Sequence, residues 1–353
     1  MPYGPQAWVD GAAGGTPLDA ARLAHMEAGI EDADTRLTAH DAALALRVAK
    51  GELFVNPLDS PYNAVGDGTT NDTAAVQAAI DAAHSTKRPL LLPRGSVFAL
   101  TVPSGLDYML QVYAGLQIVG AGTLKVRAAA GNYRSIMAGA TVPTDLTGLT
   151  LDGITIDQNN TNNAITEVPP LFAGYPRYAL YAALGSRITV RNCHFTNIDS
   201  TNTIALNGTA VLDTRIINNS FTNVGTSIAF HDHSTLYIAG TGMEISGNTF
   251  QGVSGGLGAF TAIETHGGQQ VVTNNRVSDY FIVANVTGVI STGTENVVVS
   301  DNVGLDTCDG IVVWSMTGGL NNCIIHDNVL TLDRDPWSGM SAFVFPRGIA
   351  IYP

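Results

Sequence analysis

Four isoleucines, Ile228, Ile263, Ile311 and Ile349, each open a short run in which polar or aromatic residues alternate with apolar ones. Read as strands aligned on the isoleucines, these runs place Ala229 and His231, Glu264 and His266, Val312 and Trp314, and Ala350 and Tyr352 on the opposite face. His231 and His266 then lie near each other, with Trp314 and Tyr352 further along the row. Aromatic rings beside imidazoles and one carboxylate suit a sugar ring, which stacks on aromatics and hydrogen-bonds to polar neighbours. The same aromatics would equally serve as packing between subunits.

Glycoside hydrolysis needs two carboxylates about 5–10 Å apart, one of them held protonated. Glu264 falls cleanly in the row, whereas Asp232, Asp309 and Asp306 fall in or beside turns. A lyase would need a base beside a cation, for which Arg177 and Arg276 are the nearest candidates in a Lys-poor stretch. The run His231-Asp232-His233, with His266 as a third ligand, has the alternation of a metal site. Surface and interface histidines show the same spacing, so no metal and no cofactor is assigned. The candidate catalytic residues are Glu264, Asp232 and Asp309, and the candidate ligand-binding residues of the row are His231, His266, Trp314 and Tyr352.

A second candidate edge lies in the stretch 157–178, which carries Tyr175, Arg177 and Tyr178. It interrupts an otherwise regular pattern and must protrude, as recognition loops do. A loop of this composition could instead clasp a neighbouring subunit.

The elements that must position these residues are set by a repeat. A six-residue phrase (β-branched, any, Asn/Gly/Asp, usually Asn, any, apolar) occurs at Val190–Phe195, Ile216–Phe221, Ile245–Phe250, Val272–Val277, Val299–Gly304 and Ile325–Leu330. Its fourth positions are 26, 29, 27, 27 and 26 residues apart. Fainter copies stand at Ile118-Val119-Gly120 and Leu151–Ile156. A fixed period of this size, built from β-formers around a turn pair, predicts a solenoid with one coil per repeat. Asn, Asp and Gly tolerate left-handed backbone angles at a tight bend. Equivalent Asn side chains in stacked strands, about 4.8 Å apart, can form a hydrogen-bond ladder. The reading is all-β: a right-handed single-stranded parallel β-helix over 101–353, with the insertion near 157–178 and regular coils from about residue 90.

Low charge and many glycines fit such a turn-rich solenoid. The net charge of −13 excludes a nucleic-acid partner, which requires a positive footprint. Cys193, Cys308 and Cys323 have no metal-like spacing and read as buried thiols. No apolar run is long enough to span a bilayer, and the first residues do not read as a signal peptide.

Residues 1–17 read as an extended arm and 18–50 as a helix. Thr16-Pro17-Leu18-Asp19 supplies an N-cap, a first-turn proline and an acid. Leu23, Ile30, Leu37 and Leu44 follow at seven-residue intervals, with Met26, Ala33, His40 and Arg47 at the companion positions. This stripe points to a short coiled coil with other subunits; a helix folded back on the solenoid is the alternative. Residues 51–100 read as a linker, a capping helix and the first coil. Asn71 or Asp72 can cap a helix whose inward face is Ala75, Val76, Ala79, Ile80 and Ala83, placed to cover the open end of the solenoid.

The segment Gly66-Asp67-Gly68-Thr69-Thr70-Asn71-Asp72-Thr73, with Leu92-Pro93-Arg94-Gly95 after it, resembles the opening of the pectate-lyase-like β-helix shared by many phage tail spikes. Asn71 stands where that pattern usually has Asp. The start, Trp8-Val9-Asp10-Gly11 through Ala28-Gly29-Ile30, resembles minor tail proteins from phages of actinobacteria. Together these cover about the first hundred residues, and both motifs are structural. The resemblance implies a homotrimer in the virion tail, made in the host cytoplasm. It implies an arm held by other tail or baseplate proteins, and a β-helix facing host envelope polysaccharide. Spikes of this kind include adhesins, depolymerases and plain structural fibres. The last residues, Gly348–Pro353, look like the opening strand of a further coil, closed by a partner subunit or continued elsewhere.

Overall fold

In the computed structural model, the two turn residues of each phrase divide the work of the bend. The third residue takes the left-handed conformation: φ is +55° at Asn192, Asn218 and Asn274, +66° at Gly247, +57° at Asp301 and +54° at Asp327. The fourth turns inward and builds a ladder. Asn219 Nδ2 donates to Asn248 Oδ1 at 3.0 Å, Asn248 to Asn275 at 3.0 Å, Asn275 to Asn302 at 2.9 Å and Asn302 to Asn328 at 2.9 Å. Each Nδ2 also donates to a carbonyl of the preceding coil, as Asn248 does to Ile216 at 2.8 Å. Cys193 holds the bottom position, its backbone N–H donating to Asn219 Oδ1 at 2.9 Å. Burial pushes the Cys193 thiol up to about 12, so it stays neutral.

The structure describes residues 20–49, 53–139, 145–163, 176–226, 233–252, 258, 260–287, 294–314, 320–332 and 347–352. The arm 1–17 and most of the insertion, with Tyr175, lie outside them. So do His231 and Asp232, and the side chains of Trp314 and Tyr352. The chain divides into two units, Met1–Phe54 and Val55–Pro353. In the first, α1 spans Ala20–Ala49, and Met26, Ile30 and Leu37 of its apolar stripe are exposed.

The second unit is the predicted parallel β-helix. Its strands form three faces, each pairing in parallel with the equivalent strand of the next coil. The first face runs from Tyr108–Gln111 to Arg347–Tyr352, the second from Leu90–Leu92 to Leu320–His326, and the third from Asp67–Asn71 to Val329–Leu332. Parallel crossovers of this kind coil right-handedly. The phrase sits between the second and third faces. Its final apolar residues stack inside: Phe195, Phe221 and Phe250 lie 4.9 and 4.7 Å apart with rings within 8° of parallel. That spacing is the strand repeat itself, and each buried ring contributes about 1.5–3 kcal/mol.

Helix α2, Thr73–Thr86, caps the open end through Val76, Ala79, Ile80 and Ala83. Gln77 accepts the Gln111 N–H at 2.7 Å and donates to the Gln111 carbonyl at 3.2 Å. The side-chain amide thus stands in for a neighbouring strand at the edge of the first face. Asn71 Oδ1 accepts the Thr73 N–H and hydroxyl at 3.2 and 2.7 Å. Asp72, at the N-cap, makes no side-chain cap bond; its carboxylate accepts the Val65 and Gly66 N–H groups at 2.7 and 3.0 Å.

The corner after the third face also uses left-handed Asn and Asp. Asn223 Nδ2 donates to Asn197 Oδ1 at 2.8 Å, but in a later pair of coils the same corner stacks Asp279 beneath Asp306. Burial, and then the Asp306 charge, raise the Asp279 carboxyl above its ordinary value. A carboxylate raised in the folded state costs stability at neutral pH, and the cost fades as pH falls. Asp279→Asn is therefore expected to stabilise by a few tenths to about 1 kcal/mol at pH 7, limited by solvent screening. Urea melts should show that gain shrinking as pH drops through the carboxylate range; no gain at pH 7 would remove the repulsion.

Candidate functional site

The first face carries the candidate site, but in a register that differs from the sequence alignment. Leu236, not Ile228, is the coil-neighbour of Ile263, and the coil of Ala284 lies between Ile263 and Ile311. The row of Glu264 therefore reads Tyr181, Ala205, Tyr237, Glu264, Asn285 and Val312, of which Ala205 and Val312 are buried. The row two residues on reads Asn207, Ala239, His266, Thr287, Trp314 and Tyr352. Ala239 thus occupies the place expected for His231. Trp314 and Tyr352 stand in the predicted column, Trp314 two coils beyond His266, or about 10 Å along the axis.

The strand period explains the arrangement. In Thr235-Leu236-Tyr237-Ile238, Leu236 and Ile238 are buried and Tyr237 turns out; Ala262–His266 repeats the pattern with Ile263 and Thr265 inward. Glu264 is held from both sides. Ser234 Oγ donates to Glu264 Oε2, and His266 Nε2 donates to Oε1 at 2.8 Å. The carboxylate can only accept, so Nε2 carries the proton and the ring is locked in orientation. The Glu264 and His266 side chains keep 12% and 24% exposure. The Tyr237 ring lies 4.9 Å from that of His266, tilted by 38°.

Earlier coils extend the aromatic surface. Tyr178 and Tyr181 stack at 5.2 Å, and the Arg134 guanidinium lies 5.1 Å over the Tyr181 ring. Arg134 is also bound by both oxygens of Asp107, at 2.9 and 3.1 Å. Burial raises the Tyr178 hydroxyl, keeping it neutral. Tyr181, Tyr237, Ser234 and Arg134 escaped the sequence reading. The signal that could have found them is the match of Leu180-Tyr181-Ala182 to Leu236-Tyr237-Ile238.

Other candidates stand elsewhere. Arg177 does not form a binding edge: it is 4% exposed, its guanidinium donates to the Asn163 carbonyl and lies 5.5 Å over the Tyr133 ring. It pins the base of the insertion. Asp309 is 2% exposed and begins its strand two coils beyond Glu264 and three residues earlier. That is a backbone separation of about 14 Å, so the two do not form a close carboxylate pair. Arg276 lies on the third face, away from Glu264. His233 is fully buried, six residues along the strand from Ala239, the neighbour of His266. At a backbone separation of about 20 Å the two histidines cannot share an ion.

These observations describe a parallel β-helix whose first face gathers aromatic rings around an anchored carboxylate. No family model matches the chain. Its structure is similar to a mutant tailspike protein of E. coli bacteriophage HK620, with a TM-score of 0.69 at 16% identity over 85% of this chain and 56% of that one. Tailspike mutants of the same phage in complex with a pentasaccharide give 0.68 over 80% of this chain. The chain spans little more than half the length of these tailspikes, and the likeness establishes the fold. In sequence, 124 residues are 34% identical to mannuronan C5-epimerase AlgE1 of Azotobacter vinelandii, covering 32% of this chain and 8% of the enzyme.

Proposed function

We propose that the chain is a subunit of a phage tail spike, carried on the virion tail, whose first face contacts host cell-surface glycan. The observation that carries this reading is the cluster of Tyr237, Glu264 and His266 on the outside of a β-helix: rings for a sugar face beside a fixed hydrogen-bonding pair. Tailspikes solved with oligosaccharide share the fold and so support it. The exposed stripe of Met26, Ile30 and Leu37 supports a coiled coil joining copies of the chain, with three expected from the family resemblance. The residues before α1 would engage other tail proteins.

Binding without cleavage is the expected behaviour, because Asp309, the other candidate carboxylate among the described residues, is remote from Glu264. Tyr237→Ala is expected to weaken retention on host envelope polysaccharide about tenfold with an unchanged melting temperature. Unaltered retention would move the contact away from this face. Release of new reducing ends, abolished in Glu264→Gln, would instead make the chain a depolymerase.

A further inference from the structure

We propose that the glycan seated on the first face is uncharged, bearing hydroxyl and N-acyl groups but no carboxylate, sulfate or phosphate at the Tyr181–Asn285 row; this rests on the glycan-contact reading above. A polyanionic glycan needs cations that are free to meet it. Among the described side chains of this face, the arginines are already committed. Arg134 is held bidentately by Asp107, and Arg177 is buried against Tyr133 and the Asn163 carbonyl. His266 is tied to Glu264. The second face follows the same rule, with Arg191 on Asp152 and Arg215 on Glu244, each at 2.8 Å. Behind them stands a net charge of −13.

The exposed edge of Glu264 points the same way, because its carboxylate can accept further bonds. Glu264 therefore presents acceptors, and a complementary ligand brings donors to it: hydroxyls and amide N–H groups. An anionic sugar would set its charge against Glu264 and add acceptors to acceptors. Beside a carboxylate about 5 Å away, the repulsion alone amounts to a loss of affinity of about fourfold in bulk water and more than a hundredfold at the lower dielectric of a protein surface. The tyrosines supply the remaining recognition, since stacking on a sugar's C–H face requires no charge.

The test is binding of the full chain to purified glycans: uncharged galactan, mannan and soluble N-acetylated chitin oligosaccharides, anionic polygalacturonate and hyaluronate, and cationic chitosan. The expected result is retention of at least one uncharged glycan, with affinity changing less than about twofold between 20 and 500 mM NaCl. Tyr237→Ala should weaken that binding about tenfold, and Arg276→Ala on the third face should leave it unchanged. Glu264→Gln should raise any residual affinity for the anionic polymers. Tightest binding to an anionic or cationic polymer, falling steeply with salt, would overturn the inference and leave the glycan-contact reading standing. Retention of none of the glycans would count against both. A Tyr237→Ala chain that changes its oligomeric state in light scattering would give the face to a second copy instead.

Discussion

Gly267→Ala is expected to destabilise the β-helix by about 3–5 kcal/mol and lower its melting temperature by about 10 °C. Gly267 sits where the strand Thr261–Thr273 passes from the first face to the second, with φ of +144°. A methyl group there would lie 1.7 Å from the Gly240 carbonyl oxygen and 2.8 Å from its carbon. Those are backbone atoms of the coil below, so no side-chain rotation relieves the clash. The clash recurs one coil down, where a Cβ on Gly240 would come within 2.0 Å of the Val211 oxygen. Coils about 4.8 Å apart leave no room for a side chain aimed along the axis at this corner. Gly348→Ala is the control, because nothing lies within 4 Å of its added Cβ. A Gly267→Ala melt within about 2 °C of the parent would mean that the corner relaxes. Hydrogen exchange should show the loss centred on neighbouring coils, since solenoid contacts are nearest-neighbour.

Asn248→Ala is expected to cost a similar 3–5 kcal/mol by a different route. The substitution removes the acceptor for both the backbone N–H and the Nδ2 of Asn219, at 2.9 and 3.0 Å. It also removes the donor to the Ile216 carbonyl at 2.8 Å. Asn248 and Asn219 are almost wholly buried, so water does not replace the lost partners. Each orphaned group costs about 1–3 kcal/mol. Asn328→Ala, at the half-exposed end of the ladder, should cost about 1 kcal/mol, because solvent reaches the groups it releases. Equal melting temperatures for the two variants would show that burial adds nothing to the worth of a ladder rung.

Much of the architecture was legible because the phrase encodes it locally. A β-branched residue, a left-handed turn residue and a ladder Asn recur with a period set by one coil, and the inward Phe195, Phe221 and Phe250 follow by alternation. The capping face of α2 was equally readable, as was the outward direction of Glu264 and His266. The composition of their row was not. Leu236 lies 12 residues before its ladder Asn, as Ile263 does, but Ala284 lies 18 and Ile311 17 residues before theirs. The stretch from the preceding ladder Asn varies as well, from 17 residues at Leu236 (236 − 219) to 9 at Ile311 (311 − 302), so counting from the phrase loses register at the first face. That loss substituted Ile228 for Leu236 and hid Tyr237. Arg177 misled for a related reason: an arginine in a protruding stretch reads as a binding group unless its burial against Tyr133 is known.

The coil, its bend and the ladder are readable along the chain because each depends on the backbone preference of a few consecutive residues repeated at one period, and the cap because its apolar face recurs at helical spacing. Which tyrosines stand beside Glu264, which arginines are held by Asp107 and Asn163, and how far Asp309 lies from the row emerge from the folded solenoid alone. Those facts depend on pairing between coils tens of residues apart, and long-range register follows from the packing of the whole solenoid rather than from any local run.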